Sequence, residues 1–465
     1  MLFKLNFKKT AAIVSAAIIA ATSLTGCVGN EVADGKVKIR ISHWPSETNV
    51  NYEVREQERL KFMEENPDII VEPDTWSYEP QSFIMMATSG QLPNLVLMPF
   101  TEAKRTVTDG YAANIADALS KHGFLDSLNP SLLEILSDDN GRVFGIPEFA
   151  YAQGLYINKA LFIEAGLVNE DGSVKIPSTY EEVAECAKIV REKTGKAGFL
   201  FPSTGNGGGW NLLNIAWSYG TEFLKQDENG KYIADFNSPE FKAALKYLYD
   251  LKWTYNAIQD NAVLSIDEQR KLFGTGQGAM TIYSPPGDEM SIKYGMDRKL
   301  MVAGRVPEGP AGRYSQMGGN YWMMGANSTP EQIEATMKWI MYRGVTPEVT
   351  EESKAAWGKL AKQTFDNGGV VLDRSAFSLW VNEERLKAEQ EANAPYVNVD
   401  PHDYDDYFSF ADVIIRPEPE ICAQELYSVL DKTVQEIFTN KDVDFDVVTE
   451  TAVKDFQMNH LDKID

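Results

Sequence analysis

The sequence predicts an α/β protein, and three observations carry that prediction. Short apolar strands alternate with amphipathic helices from residue 37 onward. Several helices open on residues whose side chains cap free backbone amides. The chain has 465 residues with 43% hydrophobic side chains, enough for two large or three ordinary domains and too apolar for a disordered polymer.

The first segment is an address. Lys4, Lys8 and Lys9 precede the apolar run Ala11 to Ala21, which is too short to span a bilayer and has the form of a secretory signal. It ends in Leu24-Thr25-Gly26-Cys27, which resembles the bacterial lipobox. An ordinary signal would need only the basic start and the apolar run; the four matched positions add the lipobox. That resemblance implies a signal peptide over 1–26, diacylglycerol on the Cys27 sulfur and a stable membrane anchor. Loss of the three lysines takes the net charge from −24 to −27. Residues 27–36 form a small, polar, flexible tether. No later segment is apolar and long enough to cross a membrane, so a soluble body held on the extracytoplasmic face of the cell membrane is expected. Cys186 and Cys422 are either buried free thiols or, in that compartment, a disulfide.

The body follows in order. Val37-Lys38-Ile39-Arg40-Ile41 alternates as a strand, and Tyr52 to Glu65 is a surface helix ended by Asn66-Pro67. Ile69 to Val71 and Leu95 to Met98 are further strands, so parallel pairing with helices on the sheet faces is expected. Thr179-Tyr180-Glu181-Glu182 has the form of a capping box. Ser238-Pro239 opens a helix with Phe241, Ala244, Leu245 and Leu248 on one face. Thr329-Pro330-Glu331-Gln332 opens another, with Ile333, Met337, Ile340 and Met341 as its stripe. No internal repeat or low-complexity stretch interrupts the pattern.

Composition narrows the chemistry. With 44 basic against 68 acidic residues, nucleic acid is a poor partner. Four His and three Cys leave little for a zinc site. No H-E-x-x-H, P-loop or G-x-S-x-G motif occurs, so no catalytic residue, metal or cofactor is assigned. Gly205 to Trp210 lacks the lysine a phosphate loop needs and is expected to be a tight loop presenting Trp210. Asp400 to Asp406 fits no calcium loop and is expected to be a solvated acidic loop.

Six segments, in order, resemble the extracellular solute-binding proteins of bacterial ABC transporters, the maltose-binding-protein-like family. They are Ser89 to Val96 (with Asn94 where Asp is usual), Gly141 to Pro147, Leu155-Tyr156-Ile157-Asn158-Lys159 continuing to Leu167, Pro177 to Glu182, Phe273 to Met280, and Gly318 to Trp322. The resemblance spans residues 37 to about 345. It implies a two-lobed α/β fold, each lobe a mostly parallel sheet flanked by helices, joined by three hinge crossovers around a ligand cleft. The implied first lobe is 37–145 plus 280–320 and the second 146–279 plus 321–465. Gly145-Ile146-Pro147, Gly278-Ala279 and Gly318-Gly319 would be the crossovers. The implied function is that of a non-enzymatic, monomeric importer subunit delivering its ligand to membrane permease subunits.

The ligand is sought among the aromatics, which make up 11% of the chain. Sugars offer apolar faces and rings of hydroxyls, so their sites combine aromatic platforms with polar side chains. Trp44, Tyr151, Trp210, Tyr283, Tyr321 and Trp322 fall at the strand ends and crossovers where such a family meets its ligand. Asn211, Asn320 and Glu102 are the accompanying polar candidates, with Arg105 beside Glu102. A carbohydrate, most naturally an oligosaccharide, is therefore expected. Core packing of any of these aromatics, a peptide, polyamine or anion ligand, and a lipid-anchored glycoside hydrolase stay open as alternatives.

Overall fold

The computed structural model describes residues 35–49, 51–374 and 377–464; Cys27, the signal segment and most of the tether lie outside the described residues. β1 (Val37–Ile41) and β2 (Ile69–Pro73) pair in parallel through helix Tyr52–Glu65, with Ile39 opposite Val71. A parallel bridge from Ile41 to Leu95 leads into β3 (Val96–Pro99). The alternation read from sequence places Ile39, Val71 and Leu95 in one core with Phe62 and Trp339. Helix Pro330–Tyr342 returns onto β1 and supplies Trp339. Its Thr329 and Gln332 form the expected capping box.

β4 (Ile146–Ala152) leaves this lobe, and β5 (Gly154–Asn158) enters the second. There β6 (Ala197–Leu200), the small hairpin β7 (Leu224–Gln226) and β8 (Tyr232–Ala234), β9 (Gly278–Tyr283) and β10 (Met301–Arg305) follow. The second sheet has the order β10-β5-β9-β6. One face is covered by helices Tyr180–Thr194, Gly207–Ser218, Pro239–Tyr249 and Ala423–Thr439. The other holds Tyr156, Phe273, Met290, Tyr404 and Tyr407. Phe241, Ala244, Leu245 and Leu248 are all fully buried, as their spacing predicts.

The lobes are joined chiefly by β4 and the long β11 (Arg313–Met323), which pair antiparallel from Met317–Ala152 to Trp322–Ile146. β12 (Val413–Pro417) lies parallel to the first half of β11. Gly319 sits in this joint at φ +142°, and a Cβ there would meet the Phe149 carbonyl at 2.0 Å.

Two expectations are corrected. The sheets are mixed rather than mostly parallel: β5–β9, β5–β10, β3–β11 and β4–β11 are antiparallel. The lobe boundaries also shift. Gly278-Ala279 is no crossover but the start of β9, a central strand buried at all six positions. Residues 280–312 thus belong to the second lobe, and 321–342 to the first. Helices Glu351–Asp366 and Glu383–Asn393 also side with the first lobe, where Lys359 Nζ donates to Glu58 at 2.8 Å and Trp380 is in the core. Cys186 is buried, Cys422 is half-buried, and both are free thiols.

Candidate functional site

Two of the aromatics singled out in the sequence meet where β4 and helix Gly207–Ser218 converge, while Tyr283 is buried nearby at the end of β9 with its ring 5.9 Å from Tyr156. Trp210, in the first turn of that helix, stands edge-on to Tyr151 with ring centroids 6.3 Å apart. Phe149, two residues earlier on β4, is 5.5 Å beyond Tyr151 and 40% exposed. Tyr283 closes β9; the Arg270 guanidinium lies 4.9 Å over its ring, and its hydroxyl donates to Glu289 at 3.2 Å. Arg270 and Glu289 form an ion pair.

Trp210 is held from behind. Its Nε1 donates to Glu418 Oε1 at 3.1 Å, and Tyr427 donates to the same oxygen at 3.0 Å. Burial pushes the Glu418 carboxyl up to about 7 against the pull of these hydrogen bonds. The Gln316 amide, oriented to satisfy both of its ends, donates to the Trp210 carbonyl at 2.8 Å. Beneath it Asn214 links β11 to the residue between β4 and β5, accepting from Gln316 N at 2.8 Å and donating to Gln153 at 2.5 Å.

The glycines before Trp210 do not open space for a ligand, nor do they form a loop. They begin a helix, and Asp431 caps it by accepting from Asn206 N at 2.6 Å and Gly209 N at 2.8 Å. A Cβ on Gly209 would lie 2.3 Å from the Tyr427 carbonyl, so the missing side chains admit helix Ala423–Thr439.

Across the crevice, helix Ala103–Thr108 of the first lobe reaches the second. Lys104 Nζ donates to Glu420 at 2.5 Å and to the Tyr232 hydroxyl at 2.9 Å, while Tyr232 donates to Glu420 at 2.5 Å. Glu102 lies beside this contact. Burial holds its carboxyl above the usual range, against the pull of Tyr78 and of Arg105 at 4.0 Å.

The sequence profile of the bacterial extracellular solute-binding proteins matches residues 44–342. The chain belongs to that family. A binding protein of Brucella abortus (strain 2308) is 25% identical over 289 residues, 60% of this chain and 64% of its own length. The chain thus spans somewhat less than two thirds of that curated relative. Among solved structures, maltose-bound MalE3 of T. maritima superposes with a TM-score of 0.65 at 19% identity, covering 91% of this chain and all of that one. UgpB from Mycobacterium tuberculosis in complex with glycerophosphocholine gives 0.66 at 15% identity, over 91% and 98%. At these identities the likenesses establish the fold.

Within this solute-binding protein the other expected residues lie apart from the aromatic group. Trp44 is in the first-lobe core, its ring 5.9 Å from Trp339. Tyr321 stacks on Phe100 at 5.8 Å, its hydroxyl 2.9 Å from that of Thr106. Trp322 is 6% exposed in the same core as Trp44. The expectation that Tyr321 and Trp322 line the ligand cleft is not met: past the register shift against β4 between Asn320 and Tyr321, the two side chains point to opposite faces of β11, Tyr321 into the cluster with Phe100 and Trp322 into the core with Trp44. Asn211 is buried and donates to the Gly207 carbonyl at 3.0 Å. Asn320 is half-buried opposite Pro99 and Phe149. Sequence reasoning passed over Arg270, Glu289, Glu418 and Gln316. The Ser265–Glu268 capping box marks the helix that carries Arg270, whereas nothing local distinguishes Glu418 from other acidic residues in so acidic a chain.

Proposed function

We propose that this protein is the substrate-binding lipoprotein of an ABC importer, capturing a sugar or oligosaccharide between its lobes and delivering it to membrane permease subunits. The observation that carries the carbohydrate reading is the Trp210–Tyr151 pair, continued by the exposed ring of Phe149, with Arg270 and Glu289 beside it. Aromatic faces take the apolar side of a pyranose, and the charged groups beside them take its hydroxyls. Maltose in the similar MalE3 supports this class of ligand. Micromolar binding needs about 8 kcal/mol, and two stacked faces give about 0.5–1.5 kcal/mol each beyond burial. The polar groups and closure of the lobes around the ligand therefore contribute the rest.

Calorimetric titration with neutral sugars, and with glycerophosphocholine as the competing class, tests the reading. A sugar at a hundred times its dissociation constant adds about 2.7 kcal/mol of stability, visible as a raised melting temperature. Binding without release of smaller sugars is the expected result; cleavage would mark a hydrolase. The anchor is tested separately: Cys27→Ala should lose diacylglycerol by mass spectrometry and leave unprocessed precursor.

A further inference from the structure

Beyond the aromatic group, on the far side of Phe149, the crevice holds charged groups that the protein itself leaves unsatisfied. Two cavities of about 370 and 690 Å³, both in the range of ligand sites, meet at Arg343, Asp288, Leu360 and Thr364. Arg343 ends helix Pro330–Tyr342 and is four-fifths buried. Among the described residues its one ion-pair partner is Glu58 at 4.0 Å, and its side chain makes no hydrogen bond. Arg55, on helix Tyr52–Glu65, has Glu58 at 3.4 Å and likewise no side-chain hydrogen bond among the described residues. Glu58 is already taken by Lys359 at 2.8 Å. Glu148, on β4 next to Phe149, has no hydrogen bond or ion pair among the described residues, although its charge faces both arginines. Burial, with Arg55 adding to it, brings Arg343 down to about 10, and burial raises Glu148.

Arg343 Nε, shut off from solvent without a partner, and a half-buried carboxylate with idle acceptors are costly unless something completes them. An anion would satisfy the arginines but meet Glu148, and a cation the reverse. A hydroxyl accepts and donates at once, so a pair of neighbouring sugar hydroxyls can serve both. We propose that Arg55, Arg343 and Glu148 form a second subsite, which takes the hydroxyl edge of a further neutral pyranose whose apolar face lies on Phe149. The ligand is then a neutral oligosaccharide spanning this subsite and the aromatic one. The inference rests on the carbohydrate reading of the aromatic group.

The test is calorimetry on the full chain in detergent. The probes are maltose, cellobiose, laminaribiose and xylobiose, their tetramers, digalacturonate and glycerophosphocholine. A neutral oligomer should bind, and Arg343→Met and Glu148→Gln should each weaken it at least about tenfold without lowering the ligand-free melting temperature. If Arg343→Met does not fold, Arg343→Lys and Glu148→Gln carry the comparison. Variants that bind the oligomer as the parent does would overturn the subsite and leave the carbohydrate reading intact. Binding of digalacturonate or glycerophosphocholine alone would overturn the neutral ligand. Binding of none of the sugars would overturn both readings together.

Discussion

Trp210 and Trp322 place the same indole in opposite surroundings. Trp210 is half-buried beside Tyr151, with its Nε1 on Glu418, whereas Trp322 is packed in the first-lobe core. Trp210→Ala should weaken sugar binding by about 1.5–3 kcal/mol, roughly ten- to a hundredfold, through lost area and stacking. Trp322→Ala should instead destabilise the fold by about 3–5 kcal/mol. Denaturant titration and calorimetry on both variants check this contrast, and a stable Trp322→Ala protein that has lost binding would reverse the two roles. The sequence shows aromatics at the crossovers, but which of them face solvent depends on what covers each strand face, and that is a tertiary fact. Glu418 gives a pH prediction. Its folded carboxyl, near 7, keeps a proton that the unfolded chain releases near 4.5, so this group makes stability fall as pH rises through that window. Glu418→Gln should flatten the slope and stabilise the protein at pH 8 by about 1–3 kcal/mol, with little change at low pH. Parallel slopes in thermal melts of parent and variant would refute it.

At the scale of elements, the caps were legible because they are local. Thr179 Oγ1 accepts from Glu182 N at 3.1 Å, though Glu182 reaches back to Ser178 N at 2.6 Å rather than to Thr179 itself. Helix Tyr52–Glu65 and β1 fall where their periodicity puts them. The glycine run at 205–209 was misread as a loop, since nothing near it reveals that Tyr427 will lie against its backbone. That contact reverses the usual effect of a mutation. In an exposed helix Gly→Ala stabilises by about 1 kcal/mol. Gly209→Ala should cost about 1–3 kcal/mol, because the new methyl forces helix Ala423–Thr439 away. A raised midpoint in denaturant titration would show that the two helices do not pack this closely.

For the whole molecule, a two-lobed plan was legible and its lobe boundaries were not. The segment Gly278 to Tyr283 has the glycine and alanine of a hinge, but every one of its residues is buried; the chain returns to the first lobe at β11 and crosses back after helix Glu383–Asn393. The lobes are also held together by side chains that no motif announces. Lys104 from the first lobe meets Glu420 and Tyr232 from the second, its ammonium 5.6 Å over the tyrosine ring. Lys104 and Glu420 are about half exposed, so the bond is worth only about 1 kcal/mol and weakens with salt. On the proposed closure of the lobes around the ligand, a contact of that size is enough to matter. A shift of about 1 kcal/mol changes the closed fraction about fivefold, and apparent affinity scales with the fraction able to bind. Lys104→Met should therefore enlarge the ligand-free radius of gyration in small-angle scattering and weaken sugar binding by about two- to fivefold. Tyr232→Phe keeps both charges and should fall between variant and parent, and salt should narrow the gap between all three. Identical scattering curves and affinities would mean that the contact accompanies closure without biasing it.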